Sequence, residues 1–531
     1  MHQPGGWRMR QRIKEVLEGI LKDYGESVDF KVTRPEDREF GDYTTNLPFL
    51  LAKSLKRNPV EIGEEIAKKI RIEGLEVTPV RGFINFRISK GVLQNNLLKA
   101  IEEGYGKGEG KGIKINVEFV SANPTGPLHL ASARAAAFGD TLVRLLRYKG
   151  YTAESEYYVN DAGKQIDNLA LSVDARIKEI EGEEYSIPED GYHGAYIRDI
   201  ARSAVETDIK EFDELKSFSV DYILNMQKET LKRFRVEFDR FVSEKWIRES
   251  GRIQRVIDGL KKAGKTFEKD KALWYRGERD RVLVKSDGEF TYIVPDIAYH
   301  TYKFERGFDL VIDLLGPDHI AHVPDLKRAL TDLGYPGDSV ELIIIQWVHL
   351  LKQGKLLKMS KRAGEFVTMD ELIDEVGVDP VRFFMLMIKA SSPLEFDIEL
   401  AKKQTTENPV YYVQYSHARI CSLLDHAENE GYRDLTPEGF ENLNLGEEIE
   451  ILREIYHFPE FLEDVAESRD LHLIPRFLME LSSLYHNFYQ KYRIVGGEKE
   501  KVVPRLFLSM AVKNLVKTGL DLMGVSTPER M

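Results

Sequence analysis

The sequence predicts a multidomain α/β chain: a parallel-sheet α/β domain with a helical insertion, preceded by a small α+β unit and followed by an all-α bundle. Three observations predict it. Near residue 113 the pattern becomes strand–turn–helix–strand, the βαβ signature of a parallel sheet. A glycine-studded stretch separates this from what precedes it, and beyond residue 370 the apolar period is almost wholly helical. At 531 residues the chain has room for roughly three to four domains of ordinary size.

Taken in order, residues 9–23 place Ile13, Val16, Leu17, Ile20 and Leu21 on one helical face. A second helix is expected from about Asn46 to Leu55, and a third after Asn58-Pro59, where Asn caps and Pro takes the first helical position. Strands follow around Val77–Val80 and Phe83–Arg87. Five glycines in nine residues, Gly104 to Gly112, read as a linker. Ile113–Val120 is then a strand, Pro124, Gly126 and Pro127 a turn, residues 129–149 a helix stopped by Gly150, and Thr152–Val159 a second strand. From about Gln165 to Asp270 charged amphipathic helix predominates and reads as an insertion. Arg281–Ser286 and Glu289–Val294 flank Asp287-Gly288 as a hairpin. Strands at Leu310–Leu315 and Val340–Val348 return to the α/β pattern, and Asn408-Pro409 opens the last helical unit. The expected domains are 1–111, 112–370 with its insertion at about 165–270, linking helices 371–405, and 406–531.

The net charge of −12 means that a polyanionic partner must be held by local basic faces. A single cysteine, Cys421, excludes an intramolecular disulfide, and no Cys/His cluster offers a zinc site, so no protein-bound metal is expected. Residues 8–24 lack the apolar core of a signal peptide, and no apolar run approaches the ~18–20 residues of a membrane span. A cytoplasmic, membrane-independent monomer is the expectation.

Two segments carry chemistry. In Glu118-Phe-Val-Ser-Ala-Asn-Pro-Thr-Gly-Pro-Leu-His-Leu-Ala-Ser-Ala-Arg134 a strand turns into a helix, where free N–H groups and the helix dipole favour phosphate. Gly126 permits close backbone approach and His129 can donate to a phosphate oxygen. Lys352-Gln-Gly-Lys-Leu-Leu-Lys-Met-Ser-Lys-Arg362 carries five cations and no acid. Such a loop can close over a triphosphate and offset charge as pyrophosphate leaves.

Together these segments resemble the two signatures of class I aminoacyl-tRNA synthetases, usually His-x-Gly-His and Lys-Met-Ser-Lys-Ser. Lys358–Arg362 matches the second at four of five positions. Leu315-Gly-Pro-Asp-His319 resembles the element of this class that touches ribose and adenine; Asp318 alone would equally read as a helix N-cap. The resemblance implies a Rossmann-type catalytic domain that binds ATP, with Mg2+, through Pro127, His129, Ser132, Gly316, Asp318, Lys358, Met359, Ser360 and Lys361. His129, Lys358 and Lys361 would be catalytic. The first signature departs in two places: Ala131 replaces Gly and Ser132 replaces the second His. Loss of one transition-state donor costs about 10²–10³-fold in rate, so slowed activation, or a tRNA-binding relative without activity, stays an alternative. A class I synthetase for another amino acid is a second.

Within the class, the segment Glu118–His129 and the whole-chain order resemble the arginyl-tRNA synthetase family. The resemblance implies an arginine site made by Glu118, Ser121, Asn123, Glu244, Tyr292 and Asp296. Arginine's planar, permanently charged fork needs carboxylates placed to match it. Taken singly, Glu244 equally reads as a solvated acid, Asp296 as a helix cap and Tyr292 as a core residue. Asn160 and Asp161, in a stretch typical of the family, are expected to order the pocket wall or cap a turn. Both flanks also resemble the family. Phe83 and Asn85 would meet the tRNA D-loop by stacking and hydrogen bonding, or merely belong to a strand and its turn. Tyr412, Tyr415, Arg419 and Met531 would serve the anticodon, with the packing of two tyrosines into a helical core as the competing account. The implied partners are tRNA(Arg), L-arginine and ATP.

Overall fold

A computed structural model describes residues 9–317, 323–357 and 367–531. The first unit forms as its pattern predicts. Helix Met9–Asp23 buries Met9, Ile13, Leu17, Ile20 and Leu21. Asn58 accepts from the Val60 amide at 2.9 Å and opens helix Pro59–Lys69. Strands Tyr43–Thr45 and Leu75–Val80 flank Phe83–Ile88 in an antiparallel sheet.

The glycine stretch is a packed strap rather than a loose linker. Gly108 N donates to Tyr148 O at 2.8 Å and Lys111 N to Gly150 O at 2.9 Å. A Cβ on Gly108 would collide with the Lys149 carbonyl, and one on Gly150 with the Glu109 carbonyl. These two glycines therefore let two backbones meet.

The central sheet has five parallel strands. In chain order come β1 (Lys114–Glu118), helix α1 (Leu130–Tyr148), β2 (Thr152–Val159), the last insertion helix α2 (Phe212–Arg233) and β3 (Arg240–Ser243). The short helix α3 (Glu244–Glu249), helix α4 (Ile293–Glu305), β4 (Leu310–Leu315) and β5 (Val340–Ile344) follow. The strand order is β5-β4-β1-β2-β3. Winding reverses between β1 and β4, and ligands of doubly wound sheets bind at the carboxyl ends of such strands.

Three expectations are corrected here. The insertion does not run to residue 270: Arg240–Ser243 rejoins the sheet beside β2. The strand at 340–348 breaks after Ile344, and Val348–Lys352 pairs instead with Leu394–Asp397 and Lys355–Leu356. The return stroke of the 281–294 hairpin is a single bridge, Val284 to Phe290, because α4 already begins at Ile293.

The insertion helices Lys164–Glu181 and Ala195–Glu206 pack with α2 around a small core of their own that includes Leu169, Val173, Ile197, Ile200 and Ile223. Beyond residue 408 the chain is helical: Pro409–Asn429, Gly446–Ser468, Leu473–Lys491 and Lys499–Leu522. One face of Gly446–Ser468 docks the first unit, through Arg34 to Glu454 at 2.9 Å, Arg38 to Glu450 at 3.1 Å and the Tyr43 hydroxyl to Glu460 at 2.9 Å. Arg382, wholly buried, ties α1, α2 and the chain end together through Asp140, Phe234 O at 2.9 Å and Met523 O at 2.6 Å.

Candidate active site and RNA-facing surfaces

At the end of β1 the chain turns sharply. Val120 and Ser121 both have positive φ, 66° and 37°. Left-handed backbone is costly for a β-branched residue and persists where surroundings over-determine it. Ser121 supplies that determination: its hydroxyl donates to Glu118 Oε1 at 2.9 Å and accepts from Tyr158 N at 3.1 Å. The following loop is pinned by its carbonyls. Tyr157 donates to Ala122 O at 2.9 Å, Gln227 to Asn123 O at 3.1 Å and Gly126 O at 2.8 Å, and Tyr196 to Thr125 O at 2.7 Å. With these carbonyls drawn toward β2 and the insertion, the loop forms a fixed cradle before α1, within which Thr125 N donates to Asn123 O at 2.8 Å. Tyr157, Tyr196 and Gln227 were not singled out by sequence, and a buried Gln inside an insertion helix leaves no pattern to find.

His129 is the N-cap of α1, and Pro127 is half-buried just before it. Ala131 is exposed in the first turn while Ser132 is buried. His129 bridges to Thr368, and Met369 N donates to Leu128 O at 2.8 Å. The segment on which the cationic loop lands is thus stitched to the start of α1. Thr230 of α2 hydrogen-bonds Asp370 at 2.5 Å, so the same helix supports both segments. Lys358, Met359, Ser360, Lys361 and Asp318 lie outside the described residues. Gly316 is exposed at the end of β4, with open space where a Cβ would be. Arg134 is committed elsewhere: its guanidinium donates to the carbonyls of Gln346, Ser392, Lys389 and Ile388, and burial without a carboxylate lowers its pKa to about 10.

Next to this cradle the structure gathers carboxylates. Glu118 is buried and receives Lys303 Nζ at 2.6 Å; Lys303, itself fully buried, also donates to Asp313 at 2.8 Å. Burial opposes charge on Lys303, but Asp313 and Glu118 outweigh it and raise its pKa. His300 faces Asp313 through Nε2 at 2.8 Å and the Asp296 carbonyl through Nδ1 at 2.7 Å. Burial again opposes its charge, and Asp313 reverses the balance so that its pKa is raised. Glu244 opens α3, and Asp161 holds that end by accepting from Ser243 Oγ at 2.6 Å and Lys245 N at 2.8 Å. Asp161 thus caps the start of α3, and Asn160 O accepts from Gln165 Nε2 at 3.0 Å.

Asp296 sits in the first turn of α4, three residues before Tyr299, whose ring packs against Tyr158 with centroids 4.5 Å apart and planes tilted by 30°. It makes no ion pair among the described residues. Its pKa is pushed up to about 6, by burial first and then by the charges of Glu118, Glu244 and Asp313 against the relief from His300. The buried Tyr158 hydroxyl has no hydrogen-bond partner among the described residues and lies in the field of Glu244, Asp296 and Glu118, in that order. Glu118, Glu244 and Asp296 are thus brought together around one phenol. Tyr292 is not packed among them, being 85% exposed at the mouth of α4. Asn123 is exposed on the cradle loop.

Comparison with known proteins gives three family matches along the chain. The family profile described as "tRNA synthetases class I (R), catalytic domain" matches residues 93–385, "Arginyl tRNA synthetase N terminal domain" residues 8–88, and "DALR anticodon binding domain" residues 413–531. A Bacillus licheniformis protein named arginine–tRNA ligase is 41% identical over 98% of this chain and 98% of its own length. One of the same name from Nitratidesulfovibrio vulgaris is 40% identical over 99% of this chain and 100% of its own. The chain belongs to the arginyl-tRNA synthetase family. Among solved structures, a putative arginyl-tRNA synthetase from Campylobacter jejuni shares 35% identity, covers 83% of this chain and 99% of its own, and superposes with a TM-score of 0.75. The Thermus thermophilus arginyl-tRNA synthetase, at 22% identity, has the same fold over 98% of this chain and 100% of its own, with a TM-score of 0.81.

The two flanking surfaces of this family member can now be placed. Phe83 is 42% exposed and its ring lies 5.0 Å from that of Phe49, 40% exposed, which makes a two-ring apolar platform. Phe49 went unnoticed in the sequence because it sits in an ordinary helical pattern. Asn85 is buried and accepts from the Thr44 hydroxyl at 2.7 Å, so its carbonyl oxygen is occupied within the sheet. Tyr412, Tyr415 and Arg419 do share one helical face. Arg419 lies over the rings of Tyr415 and Tyr489, and donates to the Tyr415 hydroxyl at 3.0 Å and to His486 Nδ1 at 3.1 Å. Burial, then the Arg419 charge, pushes the His486 pKa down to about 4 and keeps that nitrogen an acceptor. His486 and Tyr489 come from helix Leu473–Lys491 and were not foreseen. Met531 is 49% exposed. Among the described residues, no helix is long and apolar enough to cross a membrane and no cluster could hold a metal ion.

Proposed function

We propose that this chain is an arginine–tRNA ligase. Arginine's carboxylate attacks the α-phosphorus of ATP, which enters as its Mg2+ complex; the bond to the β-phosphate breaks and pyrophosphate leaves. A hydroxyl of the terminal tRNA ribose then attacks the arginyl carbonyl and AMP departs. The gathering of Glu118, Glu244 and Asp296 around Tyr158, beside a loop whose carbonyls are tied back to β2 and the insertion, carries this reading. A guanidinium is the side chain that such a cup fits, since its charge is permanent and its donors are forked.

In this reading Glu244 and Asp296 meet the guanidinium, and Tyr292 covers it on closure. Glu118 and Ser121 shape the pocket floor, and Asn123 meets the amino acid's polar end. Pro127, His129, Ser132, Gly316 and Asp318 hold the nucleotide. His129, Lys358 and Lys361 stabilise the charge that develops on the phosphorus and leaving group, with Met359 and Ser360 completing the loop. The Phe83–Phe49 platform receives an unpaired base of tRNA(Arg), while Tyr412, Tyr415 and Arg419 receive the anticodon beside Met531. The protein acts in the cytoplasm as a monomer. The deciding experiment is aminoacylation of a tRNA pool with ATP and each of the twenty amino acids in turn. Charging with arginine alone is expected; charging with another amino acid, or tRNA binding without any charging, would overturn the assignment.

A further inference from the structure

Glu244 is already engaged by a guanidinium in this structure. Nε and Nη2 of Arg248 both reach its Oε1, at 2.8 and 2.5 Å. Four residues apart on a short helix, such a pair would ordinarily be a weak surface staple. Two features set it apart. The Glu244 side chain is only 9% exposed, whereas Arg248 keeps 31% and so retains a path to solvent. Arg248 also reaches the field around the Tyr158 hydroxyl, where Glu244, Asp296 and Glu118 converge. The cup therefore holds a cation of the very kind that the proposed substrate brings, while that hydroxyl has no partner among the described residues.

We propose that Arg248 is a resident surrogate for the substrate's side chain, holding Glu244 in the free protein until an incoming arginine displaces it. This rests on the arginine-ligase reading above. Displacement turns binding into an exchange: a ligand gains Glu244 only by replacing the fork that leaves it. A forked ligand restores that set of hydrogen bonds, whereas a lysine ammonium offers a point charge and does not. The resident thus builds a penalty against the wrong cation into the pocket itself, as specificity through competition requires. Once displaced, Arg248 remains tethered to α3 and turns its head toward water, where a guanidinium is readily hydrated.

The test is steady-state aminoacylation by the full chain and by Arg248→Ala and Arg248→Lys, with KM measured for arginine and for ATP, and Ki measured for lysine as an inhibitor. Losing a half-exposed competitor should lower the KM for arginine by about two- to five-fold in Arg248→Ala, leave the KM for ATP in place and lower the Ki of lysine further. Arg248→Lys should fall between the two. If the KM for arginine is unchanged or rises, Arg248 is a staple or a support for Glu244 and the surrogate role is wrong. A parent protein that charges no arginine would overturn the ligase reading, and this inference with it; a parent that charges arginine while Arg248→Ala fails to bind it more tightly would overturn this inference alone.

Discussion

Replacing Asp296 by Asn should make the free protein more stable and the enzyme nearly inactive. The carboxyl is moved from its ordinary value of 3.8 up to about 6, so the folded state holds the anion unwillingly. A shift of about two units corresponds to about 3 kcal/mol, and water reaching the half-buried carboxylate trims that to ~1–3 kcal/mol. The sign follows from the direction of the shift. Below the unfolded value the group is neutral in both states and costs nothing; between 3.8 and about 6 the unfolded chain gives up the proton that the folded carboxyl keeps, so stability falls across that window and levels off above it. Asn carries no such cost, so the variant's advantage should be full at pH 8, smaller at pH 5 and gone near pH 3. In thermal denaturation of the free protein this is a rise of a few degrees, since about 1 kcal/mol moves a large domain by ~2–4 °C. Meanwhile the guanidinium loses a buried charged partner, worth about 2–5 kcal/mol, so the KM for arginine should rise about 30-fold or more. A variant no more stable than its parent at pH 8, or an advantage that does not shrink with acid, would show that the cup is not strained by charge. An unchanged KM for arginine would remove Asp296 from the site.

Four further outcomes follow from named contacts. Gln227→Leu strips the donors from Asn123 O and Gly126 O, so kcat/KM for ATP should fall by roughly tenfold or more while tRNA binding, read by filter retention, persists. Phe83→Ala should raise the KM for tRNA about fivefold or more, as expected for one lost stack, and leave ATP-dependent adenylate formation at saturating tRNA intact. Lys303→Met leaves Glu118 and Asp313 facing each other without their shared cation and should destabilise the chain by ~3–5 kcal/mol at pH 7.5 in urea unfolding. Ala131→Gly with Ser132→His should raise kcat, by up to about 10²–10³-fold if a transition-state donor is missing; an equal or lower rate means the site is adapted to its own residues.

The parts of the fold that were legible are those where one segment carries its own signal. The helix after His129, the strand before it and the Asn-Pro starts at residues 58 and 408 are each specified within a few residues. Arg240–Ser243 was missed because a four-residue strand between helices has too few positions to show a period of two. The candidate site divides the same way. His129, Glu118 and Asp296 stand in recognisable segments. By contrast, Lys303 looks like a solvated cation on a charged helix, and only the approach of α4 to β1 and β4 reveals that it is sealed between two acids. Gln227 and Tyr196 act from an insertion whose helices carry amphipathic pattern alone, and Phe49 and Phe83 meet across 34 residues of sequence. What local pattern cannot encode is which distant side chain will satisfy a given polar atom.

The buried charges themselves argue for the identity of the ligand. Glu118, Asp313, Glu244 and Asp296 supply four negative charges around Tyr158 and α4. Lys303 serves Glu118 and Asp313, His300 leans on Asp313, and Arg248 is on Glu244. Asp296 alone makes no ion pair among the described residues, and it is the acid whose pKa is pushed up to about 6. A pocket with one acid too many is stabilised by a cation, and a neutral amino acid would leave Asp296 as unfavourable as before. Size then narrows the choice. A lysine ammonium could neutralise one carboxylate, but Glu244 comes from the start of α3 after β3 and Asp296 from α4, two separate elements whose charges both bear on Tyr158 of β2. In the arginine-ligase reading proposed above, a planar group with donors along two edges joins them, as a guanidinium does.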